Sequence, residues 1–288
     1  MEKTCKTVEQ KIFFEKHLIP DVNILLSDHC NLNCASCTNY APLANKKFTP
    51  FEVIEKDIKK LSELAQNKVA RIDLMGGEPL LNPEIVEIMW VSRKYFPSTN
   101  IAIETNGILL KSMPEEFWQT VKETGIIVRI SLYNGINSVD EIKNFAKEKG
   151  ADFRQNCTVD DWCCQNEHKI VIETNGGCLD WKYYPLDLSG KQDLNYNFEN
   201  CEQHCCCCLH EGFFYPCTRI ANIKHFNKYF NEELSICEKD RINIHENCTA
   251  ECIFEFLKNP VPFCKYCNVK SEKFIAWKKS ACDKIEWT

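Results

Sequence analysis

No apolar run in this 288-residue chain is long enough to cross a bilayer, and the opening stretch MEKTCKTVEQKIFFEKH has no signal-peptide apolar core. No membrane association is expected, and the cytoplasm is the expected compartment. Positive charge is not in excess either. The formal net charge of -6 argues against nucleic acid as the main partner, because phosphate binding needs a basic face. Internal repeats and low-complexity linkers are absent from the sequence. That leaves one large domain with, at most, a small extension. What the chain has in abundance is cysteine, 20 residues of it. Secreted domains use cysteine for disulfides, but in a reducing compartment cysteine clusters more often bind metal.

Cys30, Cys34 and Cys37 read C-x3-C-x2-C in LLSDHCNLNCASCTNYAP, directly after the apolar run Val22 to Leu26. The run is short and β-branched at its start, which predicts a buried strand with the thiols on the loop leaving it. Thiolates are soft ligands suited to iron–sulfur clusters, zinc and copper. Three in one loop leave one corner of a cubane open to a small molecule. Structural zinc asks for a fourth ligand close by, and His29 is the local candidate. Unmetallated thiols are the third reading, although an Asn-rich polar loop is a poor place to bury sulfur.

The chain then alternates. Thr49-Pro50 predicts a capped helix start, and Phe51, Ile54, Ile58, Leu61 and Leu64 follow at helical spacing as a core face. Val69 to Met75 alternates as a strand and ends in Gly76-Gly77-Glu78-Pro79, where glycines permit a sharp turn or a close approach to a ligand. A helix from Pro83 to Tyr95 and a strand from Ile101 to Glu104 come next. After them the pattern predicts a helix from Pro114 to Glu123, a strand from Ile126 to Leu132, a helix from Ser138 to Lys149 and a strand near Ala151 to Arg154. Such alternation predicts α/β architecture with a parallel sheet or partial barrel. Barrels keep their chemistry at the C-terminal ends of strands, so Asn106 in Thr105-Asn106-Gly107 is a pocket candidate as well as a simple turn residue. From residue 157 the pattern becomes irregular, with Ile170 to Ile172 as a last strand or hairpin. Long irregular loops are commonly functional or mobile, and this stretch reads equally as a substrate-facing loop or as a surface insertion.

A C-x3-C-x2-C loop after a first strand, with GGE one strand and helix later, resembles the radical S-adenosylmethionine (radical SAM) superfamily. The resemblance implies a partial (β/α)6 TIM-like barrel over residues 1–190. It implies a [4Fe-4S] cluster on Cys30, Cys34 and Cys37 whose open iron takes the amino and carboxylate groups of S-adenosylmethionine (SAM). It places Gly76, Gly77 and Glu78 at the SAM amino group, a charge-assisted contact, and Ser131 at the ribose or carboxylate. One departure is Ser36, where the family often has an aromatic residue that packs on the adenine. The implied chemistry is reductive cleavage of SAM to a 5′-deoxyadenosyl radical, which removes hydrogen from a substrate C–H bond. Cys163, Cys164 and Cys178 are then candidate hydrogen-atom donors to a substrate radical, each equally readable as a spectator thiol.

A second constellation reads CEQHCCCCLHEGFFYPC over residues 201 to 217, with Cys264 and Cys267 later in PFCKYCN. A hairpin is expected between Leu209 and Phe213-Phe214-Tyr215, turning at Glu211-Gly212. Two separated pairs of thiolates close a metal completely. The spacing Cys201-x10-Gly212-x4-Cys217 resembles the SPASM/twitch extension found behind many radical SAM barrels, which implies an auxiliary [4Fe-4S] domain over residues 191–288. Cys201 has the family spacing and ranks first as the fourth ligand. Cys208 ranks second, and Cys205, Cys206 and Cys207 are within reach. Zinc suits such a closed set as well. Residues 231 to 258 are expected to be mostly helical, with no role for Cys237, Cys248 or Cys252, and a closing helix is expected around Phe274, Trp277 and Ile285.

NLNCASCTNYAPLA, GGEPLLNPEI, TNGILL and PFCKYC together resemble bacterial radical SAM proteins of surface-polysaccharide pathways. The expected substrate is therefore a small carbohydrate or sugar nucleotide, dehydrogenated or epimerised, with a flavodoxin- or ferredoxin-type reductant. A peptide-modifying enzyme and a non-catalytic iron–sulfur electron carrier are the alternatives.

Overall fold

The computed structural model describes residues 18–66, 68–155, 169–174, 180–204 and 206–288, the side chains of residues 180 and 181 aside. Six parallel strands form the wall: β1 (Ile19–Leu25), β2 (Val69–Met75), β3 (Asn100–Thr105), β4 (Ile127–Ile130), β5 (Asp152–Gln155) and β6 (Val171–Thr174), in the order β1-β2-β3-β4-β6-β5. Between them run α1 (Phe51–Ala65), α2 (Ile85–Tyr95), α3 (Glu115–Thr124) and α4 (Val139–Glu148). Strand residues alternate between faces. Val22, Ile24, Ile72, Leu74, Ile101, Ile103, Val128 and Ile172 share one core with Ile54, Ile58 and Leu61 of α1 and Phe117 and Trp118 of α3. The helical spacing of those α1 residues is what sets that stripe against the sheet.

The opposite strand face carries charge. Asp21 stands in register with Arg71, Asn23 with Asp73, and Arg129 with both Glu104 and Glu173. Arg129 reaches Glu104 at 2.5 Å, Glu173 at 3.0 Å and Asp73 at 3.1 Å, while Arg71 reaches Asp21 at 2.8 Å. Removing one partner from such a buried set costs about 3–5 kcal/mol, because the other charge stays desolvated.

On the free edge of β1, β8 (Cys206–His210) pairs in parallel and continues the sheet into β9 (Phe213–Tyr215) and β10 (Ile242–Asn243), nine strands in all among the described residues. The β8–β9 turn is the expected one. Glu211 and Gly212 both have positive φ, 49° and 83°, as a two-residue hairpin turn requires. Asp57 of α1 holds that turn, accepting from Gly212 N at 2.8 Å and pairing with His245 Nε2 at 2.7 Å. The cysteine-rich part is thus not a detached layer. A second sheet crosses the boundary expected near residue 190, since β7 (Asp180–Tyr183) pairs antiparallel with β11 (Lys273–Ala276).

Three local expectations are corrected. Thr49 does not cap α1, because its hydroxyl donates to Leu25 O and Pro50 takes the N-cap position. The stretch 231–258 is mostly not helix. Instead α5 (Leu194–Asn200) and α6 (Thr218–Phe230) precede it and only α7 (Ala250–Leu257) lies within it, capped by Thr249. α6 stops where Asn231 turns left-handed at φ 53°. No closing helix forms: Lys273–Ala276 is drawn into β11, and a short 3-10 turn at Lys284–Glu286 ends the chain's ordered elements.

Candidate active site and auxiliary thiol site

Cys30, Cys34 and Cys37 follow β1 and border one cavity of about 340 Å³. Burial pushes the Cys30 thiol up to about 11 and that of Cys34 to about 12. A value raised this far means that each free thiol keeps its proton, and the charge of a bound metal is what would displace it. Hydrogen bonds already reach two of the sulfurs: Leu32 N at 3.4 Å and Asn106 Nδ2 at 3.5 Å to Cys30, and Trp277 Nε1 at 3.3 Å to Cys34.

Gly76 and Gly77 line the same cavity. A Cβ on Gly76 would stand 2.3 Å from Ser27 O, and one on Gly77 would stand 2.0 Å from His29 O. The glycines let the loop after β2 lie directly on the backbone that leads to Cys30. Gly77 N donates to Ser27 O at 2.7 Å and Glu78 N to His29 O at 3.0 Å, fastening the two loops. Glu78 does not face the cavity. Its buried carboxylate accepts from Thr105 Oγ1 at 2.7 Å, Asn106 N at 2.9 Å and Leu80 N at 3.1 Å. Burial raises its pKa, and these hydrogen bonds oppose the rise. The carboxylate expected beside the SAM amino group also joins the loops after β2 and β3 through those buried N–H and O–H donors.

Asn106 and Ser131 both line the cavity, from the ends of β3 and β4. Asn106 also donates to Asn31 Oδ1 at 2.7 Å. Glu104, Tyr133, Lys182 and Gln203 also line the cavity. Cys163, Cys164 and Cys178 lie outside the described residues.

The second set gathers around another pocket, lined by Cys201, Cys217, Cys264 and Cys267. Cys201 ends α5, Cys217 precedes α6, and the last two sit on the 3-10 turn Pro262–Tyr266 and its C-cap. Asn197 ties this set together by donating Nδ2 to the carbonyls of both Cys264 and Cys267. Cys208 is not among them. Strand alternation aims Cys207 into the core against the helices, and Cys208, fully buried, into the core with Leu25, Tyr40 and Phe226. Cys205 lies outside the described residues. Among the described residues no three His, Cys, Asp or Glu side chains stand at single-ion spacing, so the assignment rests on the thiols sharing a pocket rather than on a ready-made ion cage.

Sequence reasoning passed over Arg219, which is buried in the lining of this pocket and donates Nη1 to Tyr184 O at 2.6 Å. Despite burial its pKa is raised, by Tyr40, Cys267, Tyr183 and Cys217 around it. A fixed cation there would offset the negative charge of thiolates bound to a metal. Trp277 and Trp287 were missed too. They come from the last residues to the first cysteine loop, Trp287 Nε1 donating to Cys37 O at 3.0 Å.

An open parallel barrel with three soft ligands at the mouth of β1, next to a glycine cradle, defines a site for a cluster with one corner free. Residues 24–159 match the radical SAM superfamily, and this part of the chain is a radical SAM domain. The domain brings with it a [4Fe-4S] cluster and SAM, and the three thiols and the cavity beside them fit both. The chain is 33% identical over 115 residues to a probable GTP 3′,8-cyclase of Pyrococcus abyssi, covering 40% of this chain and 35% of that protein. It is 32% identical over 139 residues to GTP 3′,8-cyclase of Clostridium acetobutylicum, covering 46% and 39%. The chain thus spans well under half the length of these relatives. In fold it is similar to BtrN, solved in complex with AdoMet and 2-DOIA, at a TM-score of 0.51 and 18% identity, covering 87% of this chain and 93% of that one. Among the described residues no helix is long and apolar enough to cross a membrane.

Proposed function

We propose that this chain is a radical SAM oxidoreductase or isomerase acting on a small, hydroxyl-rich substrate such as a carbohydrate or sugar nucleotide. The observation that carries the reading is the cavity itself. Cys30, Cys34 and Cys37 border it, and so does the Glu104 carboxylate, which Arg129 holds in place. When bound, the cluster and SAM supply a 5′-deoxyadenosyl radical that removes a hydrogen atom from a C–H bond. The chain's own part is to bind, orient and exclude water. Asn106 and Ser131 offer polar contacts at the strand ends, and Glu104 offers an acceptor to hydroxyl groups. Cys201, Cys217, Cys264 and Cys267 would hold one auxiliary [4Fe-4S] cluster, with Arg219 beside it, and a flavodoxin- or ferredoxin-type protein would supply electrons. The ligand of BtrN, named in its complex, is compatible with a small-molecule substrate here. An electron carrier is the weaker reading, because a carrier gains nothing from thiols that open onto a cavity of this size.

Anaerobic reconstitution with iron, sulfide, dithionite and SAM tests the proposal through release of 5′-deoxyadenosine. Deuterated candidate sugars, peptides and GTP then separate the substrate classes by which one transfers deuterium into that product. No 5′-deoxyadenosine from a fully reconstituted protein would overturn the enzyme reading.

A further inference from the structure

The last residues of the chain form a strap over the first cysteine loop. Lys278 O accepts from Ala35 N at 2.9 Å, and Ser280 N donates to Asn33 O at 2.8 Å. Cys34 and Lys279 form an isolated antiparallel bridge, and Ser36 Oγ donates to Glu286 O at 2.5 Å. Backbone contacts therefore fix the strap just after Trp277, and Trp287 fixes it again at Cys37. Held this way, Trp277 Nε1 lies 3.3 Å from Cys34 Sγ. The indole N–H is a donor only and has no alternative role.

We propose that Trp277 is a positioning residue for the SAM-binding cluster: its N–H donates to the Cys34 sulfur and holds the cluster's reduction potential up. Hydrogen bonds to cluster sulfurs and exclusion of solvent are the protein's levers on that potential. A donated proton withdraws charge from the thiolate and so favours the reduced cluster. The inference rests on Cys30, Cys34 and Cys37 holding the cluster, which the experiment tests separately.

The experiment is an EPR-monitored redox titration of the reconstituted full chain and of Trp277→Phe, which keeps the ring and loses the donor. At a fixed applied potential the reduced-to-oxidised ratio of the SAM-responsive signal should fall about tenfold, equivalent to about 59 mV for one electron. Equal iron content and superimposable titration curves would overturn the proposal. A second measurement needs no variant. With 15N-indole tryptophan, pulsed EPR of the reduced parent should show an indole coupling that persists in Trp287→Phe, and its absence from the parent overturns the proposal. If the parent's signal does not respond to SAM and survives Cys34→Ala, the site assignment itself has failed, and the proposal fails with it.

Discussion

Replacing Gly77 by alanine tests whether the glycine pair is a close-packed joint between two loops. The added Cβ would stand 2.0 Å from His29 O, 2.2 Å from His29 C and 2.9 Å from Cys30 N. All three are backbone atoms, so no side chain can swing aside. The loops are further held by the Gly77 N and Glu78 N hydrogen bonds, which separation would break. Overpacking costs about 1–3 kcal/mol, and each lost buried hydrogen bond adds about 0.5–1.5 kcal/mol. Together that is about 2–6 kcal/mol, or a fall in Tm of roughly 10 °C for a domain of this size. Gly150→Ala is the control. Its φ is +62° but nothing lies within 4 Å of the new Cβ, so only the left-handed strain of about 1–2 kcal/mol applies. Thermal unfolding of the anaerobically purified proteins, with iron content beside it, reads the difference. Should the two variants melt within about 2 °C of each other, the close-packed joint is not there.

At the second site, Cys201→Ala should lower iron content by the share of one cluster, while Cys208→Ala should leave it unchanged; equal losses would sink the ligand assignment. Arg219→Met should lose the auxiliary cluster's EPR signal and keep the SAM-responsive one, because four thiolates would then lack their buried cation; retention of both signals at parental intensity contradicts this. His210 is held down to about 4 by burial, against an ordinary value of 6.5. The unfolded chain therefore takes up that proton first, and stability falls as pH drops from about 6.5 to 4, by up to about 3 kcal/mol. His210→Leu should flatten that part of the stability–pH curve measured by urea unfolding, and an unchanged slope would remove His210 as its source.

The barrel half was legible because its signals are local. A β-branched run followed by C-x3-C-x2-C, Ile54-Ile58-Leu61 at helical spacing, and GGE after an alternating strand each specify their own surroundings. The sequence also holds the charged barrel wall in plain view, as Asp21 and Asn23, Arg71 and Asp73, Glu104, and Arg129 at alternate positions. Those residues become a wall only once the register sets Arg129 between Glu104 and Glu173. The partners of Glu78 were hidden for a similar reason. A carboxylate after two glycines reads as a ligand contact, and nothing nearby in sequence announces that Thr105 Oγ1 and Asn106 N, 27 and 28 residues away, also donate to it. Among the consecutive cysteines from 205 to 208, spacing alone leaves several candidates. The pleat of β8, which is set by pairing with β1, decides that Cys208 faces the core. The strap at the end of the chain was illegible altogether, since Trp277 finds its partner at a sequence separation of 243.

The sheet order also ties the two thiol sites to each other. β1 lies between β2, whose far end carries the glycine pair, and β8, whose hairpin leads into Cys217. Asn39, two residues past Cys37, closes the same gap from above. Its Nδ2 donates to Gly76 O at 2.7 Å, and its Oδ1 accepts from Asn222 Nδ2 at 3.3 Å. Asn222 is buried on α6, one turn after Cys217, and donates back to Thr218 O at 3.1 Å. A polar chain therefore runs from the glycine loop through the first cysteine loop to the helix that follows the second site. Because Gly76 O and Thr218 O are main-chain acceptors, the chain holds backbone to backbone and does not depend on either site's ligand. Two sites joined this way, by a continuous sheet and by side-chain amides, keep one separation.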